Sequence, residues 1–163
     1  MQSALLAAGA AIFFLASPVQ ASPTLGTSPE KSGPNEELAC LAQNIYFEAR
    51  GEPQVGQLAV AHVTLNRVAH PAFPNTVCEV VTQGGKKGPC QFSWWCDGRS
   101  TEPRDLDAWA AALTLAREVL NGRTEDPTNG ALYYHVVDLE VAWSEEKVDP
   151  QVIGRHIYFM LPE

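Results

Sequence analysis

The stretch Asn44-Ile45-Tyr46-Phe47-Glu48-Ala49-Arg50-Gly51-Glu52-Pro53-Gln54-Val55-Gly56-Gln57 decides how this chain is read. Leading into it from Asn35, the residues Leu38, Leu41, Ala42, Ile45 and Ala49 recur at helical spacing and define one buried stripe. At about 100° per residue, Glu48 falls beside Leu41 on the edge of that stripe, while Phe47 and Arg50 point elsewhere. A carboxyl group so placed is half removed from water, which favours its protonated form and suits it to donate a proton near neutral pH. The plainer alternative is a solvated surface pair with the following arginine. Gly51 and Pro53 end this helix, and Pro53 can open the next.

That next helix, about residues 54–68, is apolar nearly all round (Val55, Leu58, Ala59, Val60, Ala61, Val63, Leu65 and Val68), so it belongs at the centre of the domain. Beyond Pro71 and Pro74, Asn75-Thr76 can cap a short helix carrying Val77, Val80 and Val81. The segment from Gly84 to Ser100, dense in glycine, cysteine and aromatics, reads as a loop or hairpin. A third long helix, about residues 105–121, turns Trp109, Ala112, Leu113, Ala116 and Leu120 inward and stops at Gly122. Asp126-Pro127-Thr128-Asn129-Gly130 is a turn into residues 131–137, which with residues 153–160 can form short strands. The expected fold is a mainly helical α+β domain.

With 163 residues the chain can hold one domain with a real core. Residues 1–21 contain no charged side chain, run apolar from Leu5 to Leu15 and end in Val19-Gln20-Ala21, the pattern of an export signal cleaved before Ser22. An uncleaved membrane anchor is the other reading, although the apolar run is short for a span. Residues 22–34, rich in Ser, Pro, Thr and Gly, read as a flexible leader, and the folded domain occupies 35–163. The net charge of −8 argues against nucleic acid as a partner, since phosphate binding needs a basic surface. A monomer is expected. In an exported chain the four cysteines should pair, and of three possible arrangements Cys90–Cys96 with Cys40–Cys78 is favoured because it closes a short loop and staples helix to loop. No C-x-x-C pair or His-rich spacing supports a metal, and no cofactor is expected.

Gln91-Phe92-Ser93-Trp94-Trp95-Cys96-Asp97-Gly98 is a cluster that a plain surface loop rarely contains. Two adjacent tryptophans within a disulfide loop suggest a platform for stacking sugars, with core packing as the alternative. Glu52 is a second carboxylate that either touches substrate or caps the following helix. Tyr133-Tyr134-His135 either line a cleft or form a strand with alternate residues buried. His62 reads as a satisfied core histidine, His70 as a loop residue, and Trp143 and His156 as packing positions.

Glu48-Ala49-Arg50-Gly51-Glu52, Gly56-Gln57 with Ala59-Val60-Ala61, Asn66-Arg67-Val68, Phe73-Pro74, Gln91-Phe92-Ser93, Gly130-Ala131 with Tyr134-His135, and Ile153-Gly154-Arg155-His156 occur in an order that resembles the catalytic domain of the SleB/CwlJ cell-wall hydrolases. The resemblance covers about Cys40 to Phe159. It implies a lysozyme-like domain, related to resuscitation-promoting factors and lytic transglycosylases, that cleaves peptidoglycan between N-acetylmuramic acid and N-acetylglucosamine. It also implies Glu48 as the catalytic acid, with Gln91, Phe92, Ser93, Trp94, Tyr134, His135 and Glu52 as candidate substrate contacts. Val141, Val136 and Tyr158-Phe159 depart from the family pattern, which bears on the far wall of the cleft and not on Glu48.

No second carboxylate is obvious for a two-carboxylate hydrolysis, so the expected reaction is a lytic transglycosylation with Glu48 as acid and then base. Muramidase hydrolysis, with Glu52 or Asp97 activating a water, is the alternative. A wall peptidase or amidase using Cys40 or zinc, and a non-catalytic glycan-binding module, are the rivals from other classes.

Overall fold

The computed structural model describes residues 33–85, 89–139, 141–144 and 146–162, with the side chain of Trp143 excepted. The expected export signal and nearly all of the leader lie outside the described residues, as does the packing of Trp143.

Helix α1 spans Pro34–Ala49, with Pro34 in its first turn and Glu36 and Glu37 there at the positive end of the helix dipole, Glu37 Oε2 accepting from Val77 N at 2.7 Å. Asn35 therefore sits inside the first turn and does not cap it. Helix α2, Gln54–Ala69, is the central element, burying Ala59, Val60, Ala61, His62, Val63, Thr64 and Arg67. Thr76 caps α3, Val77–Val81, by accepting from Glu79 N at 3.3 Å, and its hydroxyl donates to Glu79 Oε2 at 2.9 Å. The 84–100 segment holds a single helical turn, α4, Ser93–Cys96. In α5, Leu106–Leu120, the buried stripe is Ala112, Leu115, Ala116 and Val119. Leu120, expected inward, lies 37% exposed at the edge of the last turn, because the i, i+3, i+4, i+7 stripe passes through Leu115 and Val119 instead.

Three strands form an antiparallel sheet in the order β1-β3-β2: β1 Tyr133–Val136, β2 Val148–Ile153 and β3 His156–Met160. Tyr134 stands opposite Tyr158, and Val136 opposite His156. Strand β2 escaped the sequence reading because Pro150 interrupts it and most of it is exposed, both features of an edge.

The main core joins α1, α2, α3 and α5 with Phe92 and Trp94. A second cluster of Ala49, Ala59, Val60, Val63, Ala131 and Tyr158 seats the sheet on α1 and α2, and Tyr134 packs against both clusters. Disulfides join Cys40 to Cys78, tying α1 to α3, and Cys90 to Cys96, closing the loop around α4.

Candidate active site

The last turn of α1 carries Glu48 half-buried at the wall of a cleft of about 360 Å³, which Phe47, Ser93, Trp94 and Asp97 also line. A larger concavity, of about 780 Å³, lies at the C-terminal end of α2 between His70, Phe73, Asn75 and Gln83, and neither Glu48 nor Tyr134 lines it. Burial holds the Glu48 carboxyl above the usual carboxylate range. Two groups pull the other way: Tyr134, whose hydroxyl donates to Glu48 Oε2 at 3.0 Å, and the charge of Arg67. Burial and the neighbouring Glu48 in turn push the Tyr134 hydroxyl well above its ordinary range, so it remains a donor.

Trp94 and Trp95 differ sharply in burial. Trp94 is buried, stacks on Phe47 with ring centres 4.8 Å apart, and still presents an edge to the cleft, whereas Trp95 is 43% exposed and lies outside the cleft lining. The Trp94 indole donates to Asn44 Oδ1 at 3.1 Å, and Asn44 Nδ2 donates to Thr64 Oγ1 at 3.0 Å, so a buried polar chain from α2 through α1 fixes the indole. Ser93 is exposed on the cleft wall.

Other expected contacts sit elsewhere. Phe92 is buried in the main core, outside the Glu48 cleft lining, with the Arg67 guanidinium 5.3 Å from its ring centre. Gln91 is exposed, outside the Glu48 cleft lining, and its backbone N–H donates to Gln83 O at 3.0 Å. His135 follows Tyr134 on β1 and so faces the other side of the sheet, against Phe159 and with Nε2 3.1 Å from Ser144 Oγ.

Glu52, expected to touch substrate or cap α2, is outside the lining of the Glu48 cleft and makes no capping bond to α2. Its side chain is 1% exposed and is gripped by the β2–β3 turn, accepting from Arg155 Nε at 2.6 Å and from Arg155 N at 3.1 Å. Burial alone would raise its proton affinity, but these bonds from Arg155 outweigh it and hold the carboxyl below its ordinary value. Gly154, at φ +59°, permits this approach, because a Cβ there would collide with Glu52 Oε2.

The sequence reading gave no role to Arg67, and it pointed Arg50 away from Glu48. Arg67 is 4% exposed, donates from Nε to Leu132 O at 2.8 Å, and lies 5.3, 5.3 and 5.9 Å from the ring centres of Phe73, Phe92 and Tyr133. Its Nη1 has no hydrogen-bond partner among the described residues. An arginine in a helix otherwise apolar nearly all round was the available signal. Arg50 folds back over the Tyr46 ring, 4.8 Å from its centre, and lines the same cleft as Glu48.

Asp97 is the other carboxylate on the cleft wall; its Oδ1 accepts from Arg99 N at 2.8 Å. Among the described residues, no group of His, Cys, Asp and Glu could hold a metal ion, and no helix is long and apolar enough to cross a membrane.

The Cell Wall Hydrolase family model matches residues 51–159. The spore cortex-lytic enzyme of Halalkalibacterium halodurans is 38% identical over 127 residues, which are 76% of this chain and 34% of that protein. The spore cortex-lytic enzyme of Bacillus subtilis is 37% identical over 125 residues, 76% of this chain and 37% of that protein. The chain thus spans about a third of the length of these relatives. The solved catalytic domain of the germination-specific lytic transglycosylase SleB from Bacillus anthracis matches with a TM-score of 0.62 at 34% identity, over 81% of this chain and 99% of that one. The catalytic domain of the Bacillus cereus SleB protein matches at 0.58 and 32% identity, over 85% and 99%. The fold is accordingly that of the SleB catalytic domains, a lysozyme-like α+β domain, and the chain belongs to the cell wall hydrolase family.

Proposed function

We propose that this protein cleaves peptidoglycan glycan strands between N-acetylmuramic acid and N-acetylglucosamine, as a lytic transglycosylase, with Glu48 as the catalytic acid and base. The observation that carries the reading is a half-buried carboxyl, its proton affinity raised by burial, on the wall of a cleft edged by an indole, in a chain of this family. Tyr134 donates to Oε2, which leaves the proton on Oε1 for the leaving oxygen. Glu48 gives that proton to the glycosidic oxygen as the bond to the anomeric carbon breaks through an oxocarbenium-like transition state. The resulting carboxylate, stabilised by Tyr134 and Arg67, takes the proton of the muramoyl 6-hydroxyl, whose oxygen closes on the anomeric carbon to give a 1,6-anhydro sugar.

Glu52 is sealed in its clamp with Arg155, which removes it as a base for water. Asp97 lines the cleft and keeps a second reading alive, in which it activates water and the product is a reducing sugar. Mass spectrometry of digested peptidoglycan separates the two, since the anhydro product is lighter by one water. Reducing ends throughout would overturn the transglycosylase assignment. Glu48→Gln should retain the fold and lose about a thousandfold or more in kcat, the scale expected when a positioned acid–base group is removed; a mutant of near-native activity would refute the role of Glu48. We assign the protein to the exported compartment, at the wall, working as a monomer on glycan strands without a cofactor.

A further inference from the structure

The proposal of a peptidoglycan substrate leaves one feature of the cleft unused. The chain carries a net charge of −8, yet the wall around Glu48 presents two guanidinium groups, Arg50 and Arg99, and one further carboxyl group, Asp97. The ion pairs among the described residues join Arg99 to Asp97, Arg123 to Glu118 and Arg155 to Glu52, and Arg50 belongs to none of them.

Arg50 is nevertheless held in place. Its Nη1 donates to Tyr46 O at 3.3 Å, and the guanidinium lies over the Tyr46 ring. That ring is itself fixed, being 4% exposed with its hydroxyl accepting from Arg104 N at 3.1 Å and Asp105 N at 3.0 Å where α5 begins. No other hydrogen bond of the Arg50 guanidinium is found among the described residues. Across the cleft, Arg99 is only loosely tied, its Nε 3.8 Å from Asp97 Oδ2. A neutral aminosugar backbone needs no cation. The anionic groups of peptidoglycan are carboxylates carried on the lactyl side of each muramoyl residue, either on its peptide stem or, where the stem is missing, on the lactyl group itself. A propped guanidinium with free donors is the fitting receptor for such a group.

The geometry points to Arg50, with Arg99 opposite, as a carboxylate-binding subsite beside Glu48 that reads the charged lactyl side of the muramoyl residue. The subsite gives an acidic protein local attraction for an acidic polymer, where its overall field repels. It also selects muramoyl-containing strands over uncharged aminosugar polymers.

The test uses three kinds of substrate: stem-bearing strands, strands stripped of stems so that the lactyl carboxylate is free, and the amidated forms of both, in which the carboxylates are neutral amides. The wild-type protein should lose about tenfold in kcat/KM on amidation, mainly through KM, the scale of one hydrogen-bonded charge pair. Arg50→Gln should lose the same factor on charged strands and become nearly indifferent to amidation. Arg50→Lys should recover part of the preference, since it keeps the charge without the fork. Which charged substrate shows the larger loss identifies the carboxylate. Equal wild-type cleavage of charged and amidated strands, or an Arg50→Gln loss equal on both, overturns the subsite while leaving the peptidoglycan reading standing. A wild-type protein that cleaves none of the three overturns both.

Discussion

In the proposed reaction one carboxyl serves as acid and then as base, so its proton affinity has to sit between two demands. Burial raises it, which favours the protonated form needed at the start, and Tyr134 and Arg67 hold the rise in check, which favours the carboxylate once the proton has gone. Tyr134→Phe removes a hydrogen bond that favours the charged form, so the Glu48 proton affinity should climb further. Activity that needs protonated Glu48 is lost as pH rises through its pKa, and the basic limb of kcat/KM should therefore move to higher pH in this variant. The maximal rate should fall about tenfold, since the carboxylate that acts as base is less well stabilised. An unmoved basic limb would sever Tyr134 from Glu48. At this scale the sequence was uneven. Glu48 was legible because its helical angle alone sets its burial. Tyr134 and His135 were grouped together, although neighbours on a strand face opposite sides and only one of them could reach Glu48. Arg67 was quoted within a motif and passed over, because the three rings around it come from distant segments that only the tertiary fold assembles.

The β2–β3 hairpin is the element whose purpose was least visible in the sequence. Its turn, Gly154-Arg155, reaches across 103 positions to grip Glu52, just past the helix that carries Glu48. No local pattern announces such a contact, and Glu52 in isolation reads as a helix cap or a substrate ligand. The helices were far easier to place, since α1, α2 and α5 each declare themselves through periodic apolar residues and clear stops. Glu52 and Arg155 clamp the sheet to the α1–α2 junction, so Glu52→Gln should act on stability. With its side chain 1% exposed and the partner's side chain 75% exposed, losing the charge weakens the bonds without stranding a buried cation, and the cost should be about 1–3 kcal/mol. The sign with pH is fixed by the direction of the shift. The folded-state pKa of Glu52 is depressed, so its stabilisation is fully present above the unfolded carboxylate value and is lost as pH falls through the folded one. Wild type and Glu52→Gln should therefore differ in urea midpoint at neutral pH and converge in acid. A constant gap between them down the acid range would mean that the clamp is not ionic.

At the scale of the whole molecule, a helical body built on α2 meets a small sheet, and the Glu48 cleft is walled on its far side by the covalently closed loop around α4. The two disulfides therefore do different work, and the pairing the sequence favoured, a short closed loop and a longer staple, is the one found. Cys40–Cys78 spans 38 residues between α1 and α3, remote from the cleft lining, whereas Cys90–Cys96 spans 6 and frames Ser93 and Trp94 on the cleft wall. On loop-closure entropy, removing the long-range bridge with Cys40→Ser and Cys78→Ser should cost about 4 kcal/mol, and removing the short one with Cys90→Ser and Cys96→Ser about 2 kcal/mol. Function should rank them the other way. The short bridge limits how Ser93 and Trp94 can move, and a misplacement of about 1 Å in a positioning wall can cost about a hundredfold in rate. The Cys40/Cys78 double mutant should thus keep native kcat/KM at a temperature where it is folded, and the Cys90/Cys96 double mutant should lose most of its activity while remaining the more stable of the two. Urea midpoints paired with kcat/KM on peptidoglycan strands measure both rankings on the same preparations. If the rankings coincide, with the less stable variant also the less active, then the α4 loop contributes through stability alone and its cysteines do not shape the cleft.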